Sequence, residues 1–166
     1  MGSGDGMVTD RLRETGYDVL GVEPYDDAVD RARKAYPKTE FIIGSGYEDI
    51  KSRFGEFDMI VSTEVVEHLF TPWDFVERAR EALKPGGLFI ASAPYHGYLK
   101  NLLLTAMGKW DSHHDALLPG GHVRFFSRAT LEDLVRRGGL EPIQFYTAGR
   151  IPPLAKSMFV VARKPM

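Results

Sequence analysis

Short apolar runs alternate with amphipathic stretches along nearly the whole chain. Met7, Val8 and Leu12 share one face of a short helix over residues 6–14, and Gly16 supplies a residue suited to stopping it. Residues 17–22 read as a strand. Asp26 or Asp27 caps a helix that runs through Tyr36, with Ala28, Val29, Ala32 and Ala35 inward and its charges outward, and Pro37 ends it. Phe41-Ile42-Ile43 is a short buried strand, residues 44–49 a polar loop, and residues 57–62 an apolar run of the kind buried on both faces. Thr71-Pro72-Trp73-Asp74 starts a helix, with Thr71 as N-cap and Pro72 at the first helical position. It carries Phe75, Val76, Ala79, Ala82 and Leu83 inward and stops at Lys84-Pro85-Gly86-Gly87. A strand over 88–93 follows. Ser127 or Thr130 opens a helix to Arg137, and strands over 143–146 and 158–162 close the chain. Strands joined by helices predict a mostly parallel sheet in a three-layer α/β/α, Rossmann-like architecture, a single domain over residues 1–166.

Two places depart from this rhythm. Met1-Gly2-Ser3-Gly4-Asp5-Gly6, with Glu23 about 20 residues on at the end of a strand, has the layout of a nucleotide-binding βαβ crossover. Glycines let a ligand approach the backbone, and a carboxylate at a strand end can accept both hydroxyl protons of a ribose. Such a loop should follow a buried strand, yet only Met1 precedes it, so the first strand is missing. Residues 95–121 form the second departure: an apolar segment (Tyr98, Leu99, Leu102, Leu103, Leu104, Met107), then a stretch with Trp110, His113 and His114, leading to His122. Long connections usually carry function. The apolar stripe reads either as core or as a substrate lid.

Composition narrows the picture. A net charge of −2 and a pI near 6.2 provide no basic field for nucleic acid. The longest apolar runs are too short to span a bilayer. With no cysteine there is neither a disulfide nor a thiolate, and no cationic, apolar leader opens the chain, which points to the cytoplasm.

Several motifs then fall in a familiar order. Gly2-Ser3-Gly4-Asp5-Gly6, the strand ending in Glu23-Pro24, Phe57-Asp58-Met59-Ile60-Val61, Glu64-Val65-Val66-Glu67-His68-Leu69, Lys84-Pro85-Gly86-Gly87 and His122-Val123-Arg124-Phe125-Phe126-Ser127 together resemble class I S-adenosylmethionine-dependent methyltransferases, most of all the ubiquinone-biosynthesis O-methyltransferase type. The resemblance implies a seven-stranded sheet with an antiparallel last strand, here without its first. It implies S-adenosylmethionine as cofactor, with Gly2, Ser3 and Gly4 against its methionine part and Glu23 on the ribose. Pro24 and Tyr25 would flank the adenine, Gly46, Tyr47 and Glu48 its other edge, and Ser62, Thr63 and Glu64 the amino group. It also implies a small-molecule acceptor, methylated on oxygen.

Methyl transfer from a sulfonium needs an aligned nucleophile and, for a phenol or alcohol, a base; the imidazole of His122 or His96 suits that task. Glu64, Glu67 and His68 stand at i, i+3 and i+4, so on a helical turn they converge and would hold a cation such as Mg²⁺, the other reading being that Glu67 and His68 brace the loop. Two other classes stay open. A nicotinamide-dependent dehydrogenase shares the glycine loop and Glu23, but its third glycine falls one residue later. An N-terminally truncated, non-catalytic methyltransferase-like domain is the other. The missing strand makes two outcomes expected for this chain: residues 17–22 and 57–62 pair directly, leaving the glycine loop loose and the cofactor site weak, or a second copy fills the slot in a homodimer; a longer natural chain is expected to supply the strand itself.

Overall fold

The computed structural model describes residues 1–114, 117, 118 and 120–166. Six strands form among them: β1 (Leu20–Glu23), β2 (Glu40–Ile43), β3 (Phe57–Ser62), β4 (Leu83–Pro94), β5 (Glu141–Ala148) and β6 (Ser157–Arg163). Helices α1 (Met7–Glu14), α2 (Asp26–Ala35), α3 (Ile50–Phe54), α4 (Pro72–Ala82) and α7 (Arg128–Arg137) pack about them, while α5 (Tyr98–Ala106) and α6 (Trp110–His113) lie in the long connection. β1 pairs parallel with β2, and β3 parallel with β4; β6 runs antiparallel between β4 and β5. This is the expected α/β arrangement with an antiparallel last strand. From β1 the chain moves outward to β2, then returns past β1 to β3. Right-handed crossovers therefore set α2 and α3 on opposite faces. The main core gathers Phe75, Leu83, Phe89, Leu131 and Met158 under α4 and α7, and a second cluster of Val29, Ala32 and Phe41 seals α2 against β2.

Several boundaries shift for local reasons. β1 begins at Leu20 rather than at residue 17, because the Tyr17 N–H turns back to the Leu12 carbonyl. Lys84-Pro85-Gly86-Gly87 does not separate α4 from the next strand but belongs to β4: the Gly86 N–H donates to the Lys164 carbonyl, and the Lys164 N–H to the Gly87 carbonyl. Tyr25, not an aspartate, occupies the cap of α2, and the Thr71 side chain makes no capping bond to α4. Ser127 does cap α7, in a reciprocal pair with Thr130. Within the loop read over 44–49, Asp49 caps the unforeseen α3 by accepting from the Ser52 N–H. The apolar stripe at 98–107 is not core: α5 buries no residue, and Tyr98 is 94% and Leu102 65% exposed. The span 95–121 read as a lid includes residues 115, 116 and 119, which lie outside the described residues.

The direct pairing expected between residues 17–22 and 57–62 does not form. β1 and β3 do not pair, so the strands fall into two sheets with a lane between them, and a cavity of about 610 Å³ occupies it. Among the described residues, its carboxyl end is bridged. The N–H groups of Gly2 and Ser3 both donate to the Val22 carbonyl (2.8 and 3.1 Å), and the Met1 amine donates to the Val61 carbonyl at 2.7 Å. The glycine loop is thus tied to both strands instead of hanging loose, because its own backbone donors satisfy the last carbonyls of the lane.

Candidate active site

The carboxyl ends of β1, β3 and β4 meet at one edge, where ligands bind in open α/β sheets. Glu23, the last residue of β1, is 7% exposed, and its Oε2 accepts from the Gly4 N–H at 2.9 Å. The strand-end carboxylate and the loop are therefore one unit. Gly4 has φ +53°, in the left-handed region, and a Cβ there would meet nothing within 4 Å. Backbone conformation, not crowding by the chain itself, requires glycine here, and the space above the loop is open. Ser3 Oγ is buried without a hydrogen-bond partner. An open cradle, an unsatisfied hydroxyl and a buried carboxylate fit the methionine and ribose parts of S-adenosylmethionine.

Farther along the edge the expected contacts diverge. Pro24 and Tyr25 are exposed beside Glu23. Gly46 packs so tightly that a Cβ would lie 2.3 Å from the Phe75 ring, which makes it a packing residue. The Tyr47 hydroxyl accepts from the Thr71 N–H at 3.4 Å, and Glu48 is held by Arg53 and by the Ser45 N–H. Thr63 follows β3 at the border of the lane. Glu64 adopts φ +54°, and its clamp, unforeseen from sequence, is Ser92 on β4. The Ser92 hydroxyl accepts from the Glu64 N–H at 3.0 Å and donates to Glu64 Oε1 at 2.7 Å. A small polar residue near the carboxyl end of an apolar strand was the only available signal.

This geometry separates Glu64 from the grouping expected with Glu67 and His68. Residues Val66–His68 form a single 3₁₀ turn after the left-handed Glu64, so the three never line one helical face. His122 takes its place: Glu67, His68 and His122 each bring a ligand atom to within 4.8 Å of the others. The loop before α7 is strapped down to do this. The N–H groups of Val123 and Arg124 donate to the Glu67 carbonyl, and the Arg124 guanidinium donates to the carbonyls of Leu69 and Phe70 while lying over the Trp73 ring. His68 Nδ1 reaches the Gly121 carbonyl at 3.3 Å, and the His68 and His122 rings meet edge to face. Glu67 is 1% exposed, and neither carboxylate oxygen has a hydrogen-bond partner. Burial raises its pKa to about 8. Burial, together with the neighbouring His68, lowers that of His122, so its imidazole is neutral at pH 7.

His96, at the end of β4, lies in a separate aromatic group. It stacks on His114, and Phe125 meets both rings edge on, with Trp110 and His113 against His114. Burial and the Lys100 ammonium hold its pKa down to about 4. Nε2 of both His96 and His114 is buried without a partner. The long connection thus supplies neutral imidazole nitrogens among aromatic rings.

With this geometry in place, comparison with known proteins is direct. The family described as a methyltransferase domain matches residues 1–144. The human mitochondrial ubiquinone biosynthesis O-methyltransferase is 32% identical over 152 residues, covering 84% of this chain and 40% of that protein. That of Cereibacter sphaeroides is 28% identical over 148 residues, covering 86% of this chain and 59% of that protein. The chain thus spans less than two thirds of the length of these relatives. Among solved structures, the magnesium protoporphyrin IX methyltransferase of Synechocystis with bound S-adenosylhomocysteine aligns with a TM-score of 0.74 at 15% identity, over 98% of this chain and 71% of that one. A SAM-dependent methyltransferase from Methanosarcina mazei aligns with a TM-score of 0.73 at 19% identity, over 99% and 90%. The chain belongs to the methyltransferase domain family and has the fold of S-adenosylmethionine-dependent methyltransferases.

Proposed function

We propose that this domain binds S-adenosylmethionine through Gly2–Gly4 and Glu23 and methylates an oxygen of a small aromatic molecule. The observation that carries the reading is the pairing of an open glycine cradle, closed by the Gly4–Glu23 hydrogen bond, with neutral imidazoles among aromatic rings. When bound, the cofactor supplies an electrophilic methyl group. The chain's part is to orient the acceptor and take its proton. His122 is neutral because it is partly desolvated beside His68, and so has a lone pair for a hydroxyl proton. His96, a weaker base, suits acceptance of a hydrogen bond from the acceptor. Phe125, Val123 and Phe70 are exposed apolar residues of the 121–126 and 66–71 segments, available to an aromatic ring.

A second reading rests on Glu67, whose carboxylate has no hydrogen-bond partner and brings a ligand atom to within 4.8 Å of one from each of His68 and His122. Two imidazoles and one carboxylate suit a borderline cation such as Zn²⁺ better than Mg²⁺, which prefers oxygen ligands. Such an ion would orient an acceptor oxygen and ionise Glu67.

Labelled cofactor offered with phenols, amines and carboxylic acids tests the proposal. Phenols should be methylated, and His122→Ala should lower turnover by roughly 10²–10⁴ with cofactor affinity unchanged. Transfer only to amines, or full turnover in His122→Ala, would overturn it.

A further inference from the structure

We propose that Lys100 and Arg150 hold an oxyanion on the acceptor, a carboxylate or phosphate group set apart from the hydroxyl that is methylated, with His114 as a further donor. The inference rests on the aromatic acceptor proposed above and names the charge that acceptor carries. α5 is turned against its own amphipathic pattern. Lys100, Asn101 and Leu104 are half-buried, whereas Tyr98, Leu99, Leu102 and Leu103 are exposed. Hydrophobicity alone would put the lysine outside. A polar contact holds it inward: its Nζ donates at 2.9 Å to the carbonyl of Tyr95, directly after β4.

An ammonium has three N–H groups, and among the described residues Lys100 engages a single one and forms no ion pair. Arg150, exposed in the loop after β5, forms neither a hydrogen bond nor an ion pair among them. The turn Pro152–Leu154 packs against α5 and brings that loop close enough for the two cations to repel. The surrounding imidazoles add no negative charge, since burial and Lys100 keep His96, His113 and His114 neutral. Glu64 is the carboxylate that acts on Lys100 among the described residues, and it is already bonded to Ser92. A cation partly withdrawn from water beside another cation is costly, and an anion between them relieves both penalties. His114 Nε2 is buried without a partner, so with its proton on that nitrogen the ring donates to the same anion. Phe125 and Trp110, against His114, supply apolar surface for the body of the acceptor.

The test measures binding rather than transfer, so that it fails separately from the function proposed above. The full chain, with and without S-adenosylhomocysteine, is titrated calorimetrically with 4-hydroxyphenylacetate, 4-hydroxybenzylphosphonate and the neutral 4-hydroxyphenylacetamide. At least one of the two acids should bind about tenfold or more tighter than the amide, and which of them does so distinguishes a carboxylate from a phosphate. Lys100→Met should remove the preference and leave the amide within about twofold of the wild type. Lys100→Glu should transfer the preference to 4-hydroxybenzylamine, a reversal that loss of structure cannot produce. Arg150→Glu, at an exposed position, should weaken the acid about threefold. Equal binding of acid and amide by the wild type, failure of both acids to reach saturation at millimolar concentration, or a preference that survives Lys100→Met would overturn the proposal. Oxygen methylation of the amide and the acids alike would remove this inference and leave the proposed function standing, whereas a preference for acids without oxygen methylation would do the reverse.

Discussion

Gly4→Ala, set beside Gly16→Ala, isolates the cradle from the backbone that forms it. Both glycines lie at positive φ, +53° and +97°, and in both an added Cβ meets nothing within 4 Å. The conformational penalty for an L side chain in the left-handed region is about 1–2 kcal/mol, and stiffening of the unfolded chain offsets roughly 0.4–1 kcal/mol of it. Each variant should lose on the order of 1 kcal/mol, a Tm fall of about 2–4 °C for a chain of this size. The two differ in what the methyl group enters. At Gly16 it points into solvent after α1, whereas at Gly4 it enters the open space over the loop, beside the N–H that Glu23 accepts. Calorimetric titration with S-adenosylhomocysteine should show at least a tenfold loss for Gly4→Ala, about 1.4 kcal/mol, and none for Gly16→Ala. Thermal unfolding checks that the stability losses match. If the two variants bind within twofold of each other, the cofactor does not lie over Gly4.

Glu23→Ala should weaken cofactor binding by about 1–3 kcal/mol, since it strands the Gly4 N–H and removes the ribose acceptor; calorimetry checks it, and Glu23→Gln, with one acceptor oxygen left, should fall between. Ser92→Ala should cost about 1–3 kcal/mol in urea unfolding, because the left-handed Glu64 loses its partner for both N–H and carboxylate, and Ser92→Thr should restore part of it. In the presence of chelator, Glu67→Gln should gain on the wild type as pH rises. The native carboxyl, raised from 4.5 to about 8, stays protonated while the unfolded one ionises, so wild-type stability relative to the variant is full below pH 4.5 and falls up to about pH 8. The steepest change is about 1.4 kcal/mol per pH unit, and urea titrations at pH 5, 6, 7 and 8 that show a constant difference would mean that Glu67 is ionised in the fold.

Local pattern alone determined the order of the six strands and of α1, α2, α4 and α7, and with it the α/β class, because their burial period is written in consecutive residues: β3 falls at 57–62 as expected, and α7 ends at Arg137, whereas the short α3 and α6 were not foreseen. It also marked Glu23, since a carboxylate at a strand end about 20 residues after a glycine loop needs no long-range information. What the sequence could not carry was anything set by contacts between distant segments. The partnership of Ser92 with Glu64 and the replacement of Glu64 by His122 beside Glu67 join residues far apart in the chain. They depend on a left-handed residue and a 3₁₀ turn that composition does not announce. The open lane was decided in the same way. Whether β1 and β3 would lie side by side depended on where the crossovers carry them. Bridged at one end by Met1, Gly2 and Ser3, the two strands do not pair with each other.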